Sequence, residues 1–213
     1  MTWSRHDEGS ERRGYHHGNL REALIEATLA LIAENGPARF TITEAARRAG
    51  VSPGAPYRHF RDGEALLMEV ALRGFERLAD ALASAWNDGR PDALVAFGAV
   101  GNAYLAFARG EPAYYAAMFD SRIAVDAYPP LQAAADRAFG VLRGAAERLA
   151  AGLPPPKRPP SLMMALHIWA MSHGIASLFC RPDRARRPLP MSPEDLLEAG
   201  VLVYLQGLGI PGA

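Results

Sequence analysis

The chain has 213 residues, of which 49% are hydrophobic and 22% charged, a composition typical of a globular protein with a substantial core. Its 23 basic and 23 acidic residues balance, so net charge gives no indication of a nucleic-acid partner, although residues 1–61 hold nine Arg against seven acids. The single cysteine, Cys180, excludes an internal disulfide and favours a reducing cytoplasm.

The N-terminal segment, residues 1–17, is polar and is predicted to be a flexible arm, because it lacks the apolar core of a signal peptide. A first helix is predicted in GNLREALIEATLALIAENG, with Asn19 as N-cap and Glu22 three residues later. Apolar residues recur along it at helical spacing, at Leu20, Leu24, Ala27 and Leu31. Gly36 and Pro37 end this helix.

Two shorter helices are predicted next, joined across a glycine. Thr41 is placed to N-cap the first, Glu44 to complete a capping box, and Gly50 to adopt the left-handed turn that ends it. The second covers residues 52–60, where Ser52 can cap it and the proline that follows suits the first helical position. Two short helices in this arrangement indicate a helix-turn-helix.

The second short helix has an apolar inner face, supplied by Val51, Pro56 and Phe60. The residues left on or near its outer face are Gly54, Ala55, Tyr57, Arg58 and His59. Small residues at the helix start allow close approach to another surface, and the positive end of the helix dipole favours phosphate. Tyr and His can donate hydrogen bonds to phosphate, and Arg can contact guanine in the major groove. A solvated face would account for Arg58, but not for the whole Tyr-Arg-His run.

Longer helices are predicted from Asp62 onward. An amphipathic helix covers residues 62–86, and the others fall at 92–109, 111–119, 129–151, 161–180 and 193–208, each bounded by Pro, Gly or Asp. The sequence has no strand pattern longer than a few residues, and no apolar run approaches the roughly 20 residues of a membrane span. It therefore predicts an all-α chain, with three short N-terminal helices followed by a bundle of about six.

The stretch GPARFTITEAARRAGVSPGAPYRHFRDGEALL resembles the DNA-binding domain of the TetR (tetracycline-repressor-like) family of bacterial regulators, and the resemblance extends over residues 18–70. That family is all-α and dimeric, and it usually represses transcription until a small molecule binds the C-terminal domain. The resemblance implies a flexible arm over 1–17, a helix-turn-helix DNA-binding domain over 18–62, and a ligand-binding and dimerisation domain over 63–213.

The predicted DNA-binding residues are Thr41, Ser52, Pro53, Gly54, Ala55, Tyr57, Arg58, His59 and Arg61. By the resemblance, the Thr, Tyr and His side chains contact phosphate, whereas Arg58 and the small residues 53–55 face base edges. The family commonly has Lys where this chain has Gly63, which removes a phosphate contact. Either Arg61 or the arginine pair at 12–13 could replace that contact.

The predicted helix over 161–180 is apolar almost all round, so it is expected to be buried on several sides. A stripe of small residues runs along it at Ala170, Gly174 and Ser177. A mid-helix Gly costs about 1 kcal/mol relative to Ala, so a close helix contact is the expected reason for it. Trp169, His173 and the following Gly resemble a C-terminal TetR subtype named for a Trp-His-Gly motif, as does the stretch YLAFARGEPAYYAAMF.

In the TetR family the last two helices usually pair with their copies in a four-helix dimer interface. Here those helices are 161–180 and 193–208, and the predicted interface residues are Ala170, Gly174, Ser177, Leu197, Val201 and Leu205. Alternatively, these helices only complete the core of one chain. A dimer is preferred, because one short reading helix binds DNA weakly and because symmetric DNA half-sites match the two-fold axis of a dimer.

An apolar ligand pocket with a few polar groups is predicted among the aromatic and Met residues of the C-terminal half. The candidates are Tyr104, Phe107, Tyr114, Tyr115, Met118, Phe119, Trp169, Met171 and His173. For Phe107 and Trp169 a role in ordinary core packing is preferred. For Tyr104, Met118 and His173 core packing and a pocket role are equally favoured. No metal site is expected, because neither the pair His167 and His173 nor the adjacent pair at 16–17 shares a face.

The sequence thus predicts a cytoplasmic transcriptional regulator that is not an enzyme and needs neither cofactor nor membrane. It would act as a homodimer on a double-stranded DNA operator and be released by a small apolar or amphipathic effector. An all-α enzyme or carrier is a second hypothesis, but no nucleophile motif, metal spacing or phosphate-binding glycine loop supports it. A third is a helix-turn-helix regulator that answers to another protein, which a cavity-free C-terminal core would favour.

Overall fold

A computed structural model describes residues 20–180, 190–210 and 212, and these residues form eight α-helices with no strand among them. The helices are α1 (Leu20–Asn35), α2 (Ile42–Arg48), α3 (Gly63–Trp86), α4 (Ala93–Gly110), α5 (Pro112–Phe119), α6 (Pro129–Ala150), α7 (Ser161–Ile175) and α8 (Pro193–Gly207). The all-α prediction is confirmed. The predicted arm, with Arg12, Arg13 and the His pair, and the predicted cap Asn19 lie outside the described residues.

The boundaries of the later helices follow the sequence closely, and the starts of α3, α4 and α8 are fixed by side-chain caps. Asp62 caps α3 by accepting a hydrogen bond from the Ala65 amide at 2.8 Å, and Asp92 caps α4 in the same way. Ser192 forms a full capping box with Asp195 at the start of α8. Only α7 differs from its prediction, since its last turn, Ala176–Cys180, is π-helical.

The cap and the turn of the helix-turn-helix form as the sequence predicts. Thr41 caps α2 by accepting a hydrogen bond from the Glu44 amide at 3.2 Å, and Gly50 has a left-handed φ of 71°. The carboxylate of Glu44 bonds to the guanidinium of Arg47 at 2.6 Å. It therefore serves an ion pair, and the reciprocal half of the predicted capping box is not formed.

The second helix of the helix-turn-helix is shorter than predicted. Instead of an α-helix over 52–60, the chain forms one 3-10 turn at Ala55–Arg58, flanked by Gly54 with no side-chain cap. Pro56 has no amide hydrogen, so it cannot donate the first α-helical bond to the Ser52 carbonyl. That carbonyl accepts from the Ala55 amide at 3.0 Å instead, which closes the tighter 3-10 ring. We call residues 52–60 the reading segment.

Helix α3 joins the N-terminal helices to the C-terminal bundle. Its first half packs on α1, with Leu24, Leu66 and Val70 fully buried, and its second half packs on α4, α5 and α6. Helix α1 also packs directly on α5, and one continuous hydrophobic cluster extends from the N-terminal helices to α8. A change in the bundle can therefore reach α1 through α3 and α5.

A network of ion pairs reinforces the junction of α1 and α3. The carboxylate of Glu69, only 9% exposed, forms ion pairs with Arg21 at 2.7 Å and with Arg73 at 3.0 Å. The guanidinium of Arg73 also donates hydrogen bonds to both carboxylate oxygens of Glu22. The hydrogen bond from Arg73 is the main reason that the pKa of Glu22 lies below its ordinary value. The network links two turns of α3 to the first turn of α1.

Two described segments are long and apolar enough to pass a test for a membrane span. They are Ala93–Gly110, with mean hydropathy 1.2, and Pro155–Cys180, with mean hydropathy 1.4. The first is α4, whose residues pack against α3, α6 and α8, and the second contains α7, which packs against α6 and α8. Core helices of this kind pass the same test, so the result is weak evidence for a membrane segment.

Candidate DNA-reading surface and ligand site

The reading segment is divided into an anchored side and an exposed side. Pro56 is completely buried and Phe60 is 6% exposed, and both face the core beneath α1 and α2. Tyr57, by contrast, is 55% exposed, which is unusual for so large a ring in a compact chain. The remaining predicted DNA-binding residues are also exposed, apart from half-buried Ala55: Thr41, Ser52, Pro53, Gly54, Arg58, His59 and Arg61.

The cations around this surface are not equally available. Among the described residues Arg58 makes no ion pair, so its guanidinium keeps all of its donors for another partner. The side chain of Arg61 is 84% exposed but bonds through Nε to Asp62 at 2.7 Å, and this bond raises its pKa. The pKa of Asp62 is lowered, first by the Ala65 amide and then by Arg61. A phosphate that approaches Arg61 must compete with Asp62.

The sequence analysis expects a helix dipole at the start of the reading segment to favour phosphate, and the structure does not support this expectation. The helix dipole depends on aligned peptide groups over several turns. The 3-10 turn at Ala55–Arg58 has four residues, so it offers little dipole to attract phosphate. Binding to phosphate must therefore rest on individual side chains.

The departure at Gly63 is not imposed by packing. A Cβ atom at this position would lie 3.5 Å from the Phe40 ring and 3.7 Å from Ile42, which is ordinary van der Waals distance. The position is also the first residue of α3, beside the reading segment. The space at this position therefore accepts a Cβ atom.

The C-terminal bundle contains a small, partly open apolar cavity between α3, α4, α6 and α7. Its volume of about 20 Å³ has room for about one water molecule. Its walls are mostly aliphatic and aromatic, and the polar groups among its lining residues belong to Tyr104, Trp169 and Ser172. Tyr104 and Trp169 were in the predicted pocket set. The other predicted pocket residues do not belong to the described lining: Phe107, Tyr114, Tyr115, Met118, Phe119, Met171 and His173.

Two of these residues are used for packing between α3 and α5. A Cβ atom at Gly74 would lie 2.7 Å from the sulfur of Met118, so the glycine allows α5 to pack closely on α3. The Tyr114 ring lies under the guanidinium of Arg77, whose carbon is 4.8 Å from the ring centroid. Phe107 is 7% exposed and belongs to the hydrophobic cluster, which agrees with the core interpretation preferred for it.

His173, which is half-buried, forms the centre of a polar cluster that includes Tyr104 of the cavity wall. The hydroxyls of Tyr104 and Tyr115 lie 3.0 Å and 2.9 Å from its Nδ1 atom, and the Phe119 ring meets it edge-on at 4.7 Å between centroids. Burial, and then the neighbouring Tyr115, raises the pKa of Tyr104 well above its ordinary value. Tyr104 therefore keeps its proton and can donate a hydrogen bond to His173 or to a ligand.

Tyr115 also faces a second space, a surface groove between the end of α1 and the α4–α5 corner. The groove is lined by Ile32, Pro37, Ala108 and Ala116 among others. The cluster around His173 thus connects the wall of the internal cavity, at Tyr104, with the helix that contacts the DNA-binding part. Tyr104, Tyr115 and His173 were each candidates from the sequence, but their hydrogen bonds join residues far apart in the chain and carry no local sequence signal.

The predicted interface residues divide between two faces. Leu197, Val201 and Leu205 are 2%, 8% and 0% exposed, so they complete the core of their own chain and offer little area to a second copy. Ala170 is exposed on α7, whereas Gly174 and Ser177 are half-buried. A Cβ atom at Gly174 would meet no described residue within 4 Å, so no contact within the described part of the chain accounts for this glycine.

Large apolar side chains outside the predicted interface set are exposed on α7, along the face of Ala170, and on α8. Leu162 and Leu166 lie two turns and one turn before it and are 48% and 50% exposed. Val203 on the neighbouring helix α8 is 70% exposed. Helical spacing counted back from Ala170 could have found the two leucines. Helix α8 has apolar residues on two faces, so its sequence does not show which face is buried. The exposure of Val203 could therefore not be predicted.

Within the described ranges, no three His, Cys, Asp or Glu side chains cluster as metal ligands would. His167 bonds instead to the hydroxyl of Tyr204 at 3.1 Å, which joins α7 to α8. His173 bonds to the two tyrosines described above.

Comparisons with known proteins give a consistent result. A family model described as "Tetracyclin repressor-like, C-terminal domain" matches residues 97–204, and "Bacterial regulatory proteins, tetR family" matches residues 24–70. No curated protein sequence gives a significant match.

Solved structures agree with the family models. A protein of unknown function from Rhodococcus sp. RHA1 is similar at 28% identity and a TM-score of 0.76, over 92% of this chain and 98% of that one. The TetR family transcriptional regulator PfmR from Thermus thermophilus is similar at 21% identity and a TM-score of 0.67, over 86% and 97%. A tetR family regulatory protein from Rhodococcus RHA1 follows at 19% identity and a TM-score of 0.68, over 89% and 97%. At under 25% identity the last two support the fold alone.

Proposed function

Because the chain belongs to the tetracycline-repressor-like (TetR) family and is a DNA-binding transcriptional regulator, we propose that it is a cytoplasmic, dimeric repressor that a small molecule releases from a palindromic operator. The proposal assigns residues 18–62 to DNA binding and residues 63–213 to dimerisation and effector binding, with 1–17 as an arm. It assigns no catalytic role to the chain, and the Trp-His-Gly subtype remains part of the proposal.

The observation that carries the DNA-reading role is the division of the reading segment. Buried Pro56 and Phe60 fix the backbone, while Tyr57 and Arg58 extend from it into solvent. Arg58, which makes no ion pair among the described residues, is free to form two hydrogen bonds with guanine in the major groove. Tyr57, His59 and Thr41 donate to phosphates and fix the orientation, and residues 52–55 permit close approach to the bases.

The dimer is proposed to form through the outer faces of α7 and α8. Leu162, Leu166 and Val203 are all about half or more exposed, and together with Ala170 they form an apolar surface without cover from the rest of the described chain. Gly174, with open space at its Cβ position, would permit close approach of the partner helix. Of the six interface residues predicted from sequence, this proposal keeps Ala170 and Gly174 on α7 and Ser177 in the π-helical turn after it, and it replaces the three on α8.

The effector is proposed to bind at the cavity wall formed by Tyr104 and Trp169. A ligand that takes the Tyr104 hydroxyl as hydrogen-bond partner would disturb its bond with His173, and hence the bond between His173 and Tyr115. Tyr115 lies on α5, which packs on α1. The disturbance can thus shift α1 and change the spacing of the two reading segments in the dimer.

A second function is favoured by the size of the cavity. A space of about 20 Å³ is far below the roughly 300–1,000 Å³ of common ligand pockets, as expected for a regulator that answers to another protein. The two functions differ in one respect that can be measured. Only the effector-responsive form releases operator DNA when a small molecule alone is added.

The first experiment is selection of the purified chain against a random pool of duplex DNA, followed by release assays with a small-molecule library on the enriched sequence. An enriched palindrome, with release by a small molecule, is the expected result. Failure to enrich any sequence at low salt, with folded protein, would overturn the DNA-reading role. Enrichment followed by no release from any compound would favour the protein-responsive regulator.

A further inference from the structure

We propose that the effector site is composite: the internal cavity opens into a surface groove between α4 and α8, and the joined space takes an elongated apolar molecule with a neutral or cationic end. This inference rests on the effector-responsive function proposed above. It assigns the ligand a chemical class and the entry route a position.

The groove is much larger than the cavity. It measures about 450 Å³ and is lined mainly by apolar residues of α4 and α8, among them Leu94, Val95 and Leu202. Val95 is 57% exposed, so part of this apolar wall faces solvent. The groove alone lies within the range of roughly 300–1,000 Å³ that is common for ligand pockets.

The two spaces are separated by a thin wall. Gly101 and Ile168 line both the cavity and the groove, so they form the partition between them. Leu197 of α8 closes this partition, since its Cδ2 atom lies 3.0 Å from the position of a Cβ at Gly101. The absence of a side chain at Gly101 is what allows Leu197 to fit there. We call Gly101, Ile168 and Leu197 the gate.

The cavity alone has room for about one water molecule and is too small for a ligand of ordinary size, but opening of the gate would add the volume of the groove. Displacement of Leu197 would join the cavity to the groove without disturbing the contacts between α3 and α6. Helix α8 is held at its start by an ion pair between Arg109 and Glu194 and by its capping box, so its first turn is fixed. Motion of the gate is therefore expected to tilt the later turns of α8, which carry Val203 of the proposed dimer face.

The polar groups at the two ends of the joined space indicate the chemistry of the ligand. The inner end offers the Tyr104 and Ser172 hydroxyls, and the mouth offers the Asn102 amide and the Glu198 carboxylate. No Lys or Arg belongs to the described lining of either space. Among the described lining residues an anionic head would meet Glu198 and no compensating cation, whereas a neutral or cationic head would be accepted.

The test compares three straight-chain probes of equal length, namely decylamine, decanol and decanoate, each below its micelle concentration and titrated calorimetrically into the full chain. The amine and the alcohol are expected to bind, with decanoate at least about tenfold weaker because of Glu198. Glu198 is exposed, so the substitution Glu198→Gln should lower the affinity for decylamine only about threefold and leave the affinity for decanol unchanged. Equal binding of decanoate and decylamine, or no binding of any probe, would overturn the proposal.

The gate is tested through association rates, followed by the fluorescence of Trp169 in the cavity wall after Trp3→Phe and Trp86→Phe remove the other two emitters. Leu197→Ala should speed decanol association about tenfold, because it opens the partition. Leu205→Ala removes the same volume from the α8 core without touching the gate, and it should leave the rate unchanged. If both variants change the rate equally, the gate is wrong.

The same protein samples are tested for binding to the selected operator. Binding to operator without binding to any probe would refute the composite site and leave the repressor proposal intact. Binding to the probes without any sequence-selective DNA binding would refute the repressor proposal and leave the composite site intact.

Discussion

The reading segment and the C-terminal bundle contrast in how their surfaces are specified. At the reading segment, local sequence fixes the preceding turn through Gly50 and the exposed face through the burial of Pro56 and Phe60. In the bundle, the surfaces depend on how distant helices rotate against each other, as the burial of Leu197 and the exposure of Val203 on one helix show. The reading segment is therefore anchored by its own neighbours, whereas the function proposed above requires the bundle to set the distance between two such segments.

The largest effect is expected from a charge in the proposed dimer face of the bundle. Leu166→Glu should prevent dimer formation, because it places a carboxylate in an apolar surface that the partner would bury, and operator affinity should fall by at least about 100-fold. Sedimentation velocity and operator titration measure the two effects. Ala133→Glu, at an exposed site on α6, is the matched control. A Leu166→Glu variant that remains dimeric would place the interface elsewhere.

A smaller effect is expected from the base-reading side chain. Arg58→Ala should lower operator affinity about 10- to 100-fold and remove the preference at one base pair of each half-site, while dimer mass and thermal stability stay unchanged. Titration against a set of single-base operator variants measures both quantities. Tyr57→Phe serves as the comparison, since loss of a phosphate contact should weaken all sequences about equally. Unchanged selectivity in Arg58→Ala would contradict the base-reading role.

The contrast can be sharpened by restoring a cation beside the reading segment. Gly63→Lys should fit the available space and add one phosphate contact, so the plot of log affinity against log salt should become steeper by about 0.9. The control is Gly63→Ala, which changes the backbone preference without adding charge. An unchanged salt slope in Gly63→Lys would mean that this end of α3 lies away from the DNA.

The smallest effect concerns the junction between the two regions. The pKa of Glu22 is lowered, chiefly by its hydrogen bond with Arg73, so its stabilisation is present at neutral pH and is lost as the pH falls through its lowered pKa. Glu22→Gln should lower the free energy of unfolding by only about 0.5 kcal/mol at pH 7, because Glu22 is partly exposed and solvent screens the pair.

The pH dependence separates this contribution from a simple packing defect. Denaturant unfolding of both proteins between pH 7 and about pH 3 should show the difference shrink as the carboxyl of Glu22 takes up its proton. A difference that stays constant over this range would mean that the ion pair with Arg73 does not stabilise the junction.

Much of the fold follows from local signals in the sequence. The caps Thr41, Asp62 and Ser192 and the turn at Gly50 depend only on nearby residues, and the helix boundaries are accordingly close to those predicted. The 3-10 turn was missed, although its cause was visible in the sequence, since Pro56 removes the first α-helical donor.

The ligand site could be predicted only in part, because it is made by contacts between residues far apart in the chain. Tyr104 and Trp169 were identified as aromatic candidates, but Phe75, Leu142 and Ser172 in the same wall carry no local signal of a pocket role. Likewise, helix α8 is apolar on more than one face, and only its packing against α4 and α7 decides that Leu197 is inside and Val203 outside.

The most direct test of the account is operator binding as a function of the distance between half-sites. If two rigid reading segments are held apart by the bundle, insertion of about five base pairs, half a helical turn, should remove most of the affinity, and insertion of about ten should partly restore it. The enriched operator and its two spacing variants are compared at the same salt concentration. Affinity that does not depend on spacing would contradict the claim that the bundle sets the separation of two reading segments.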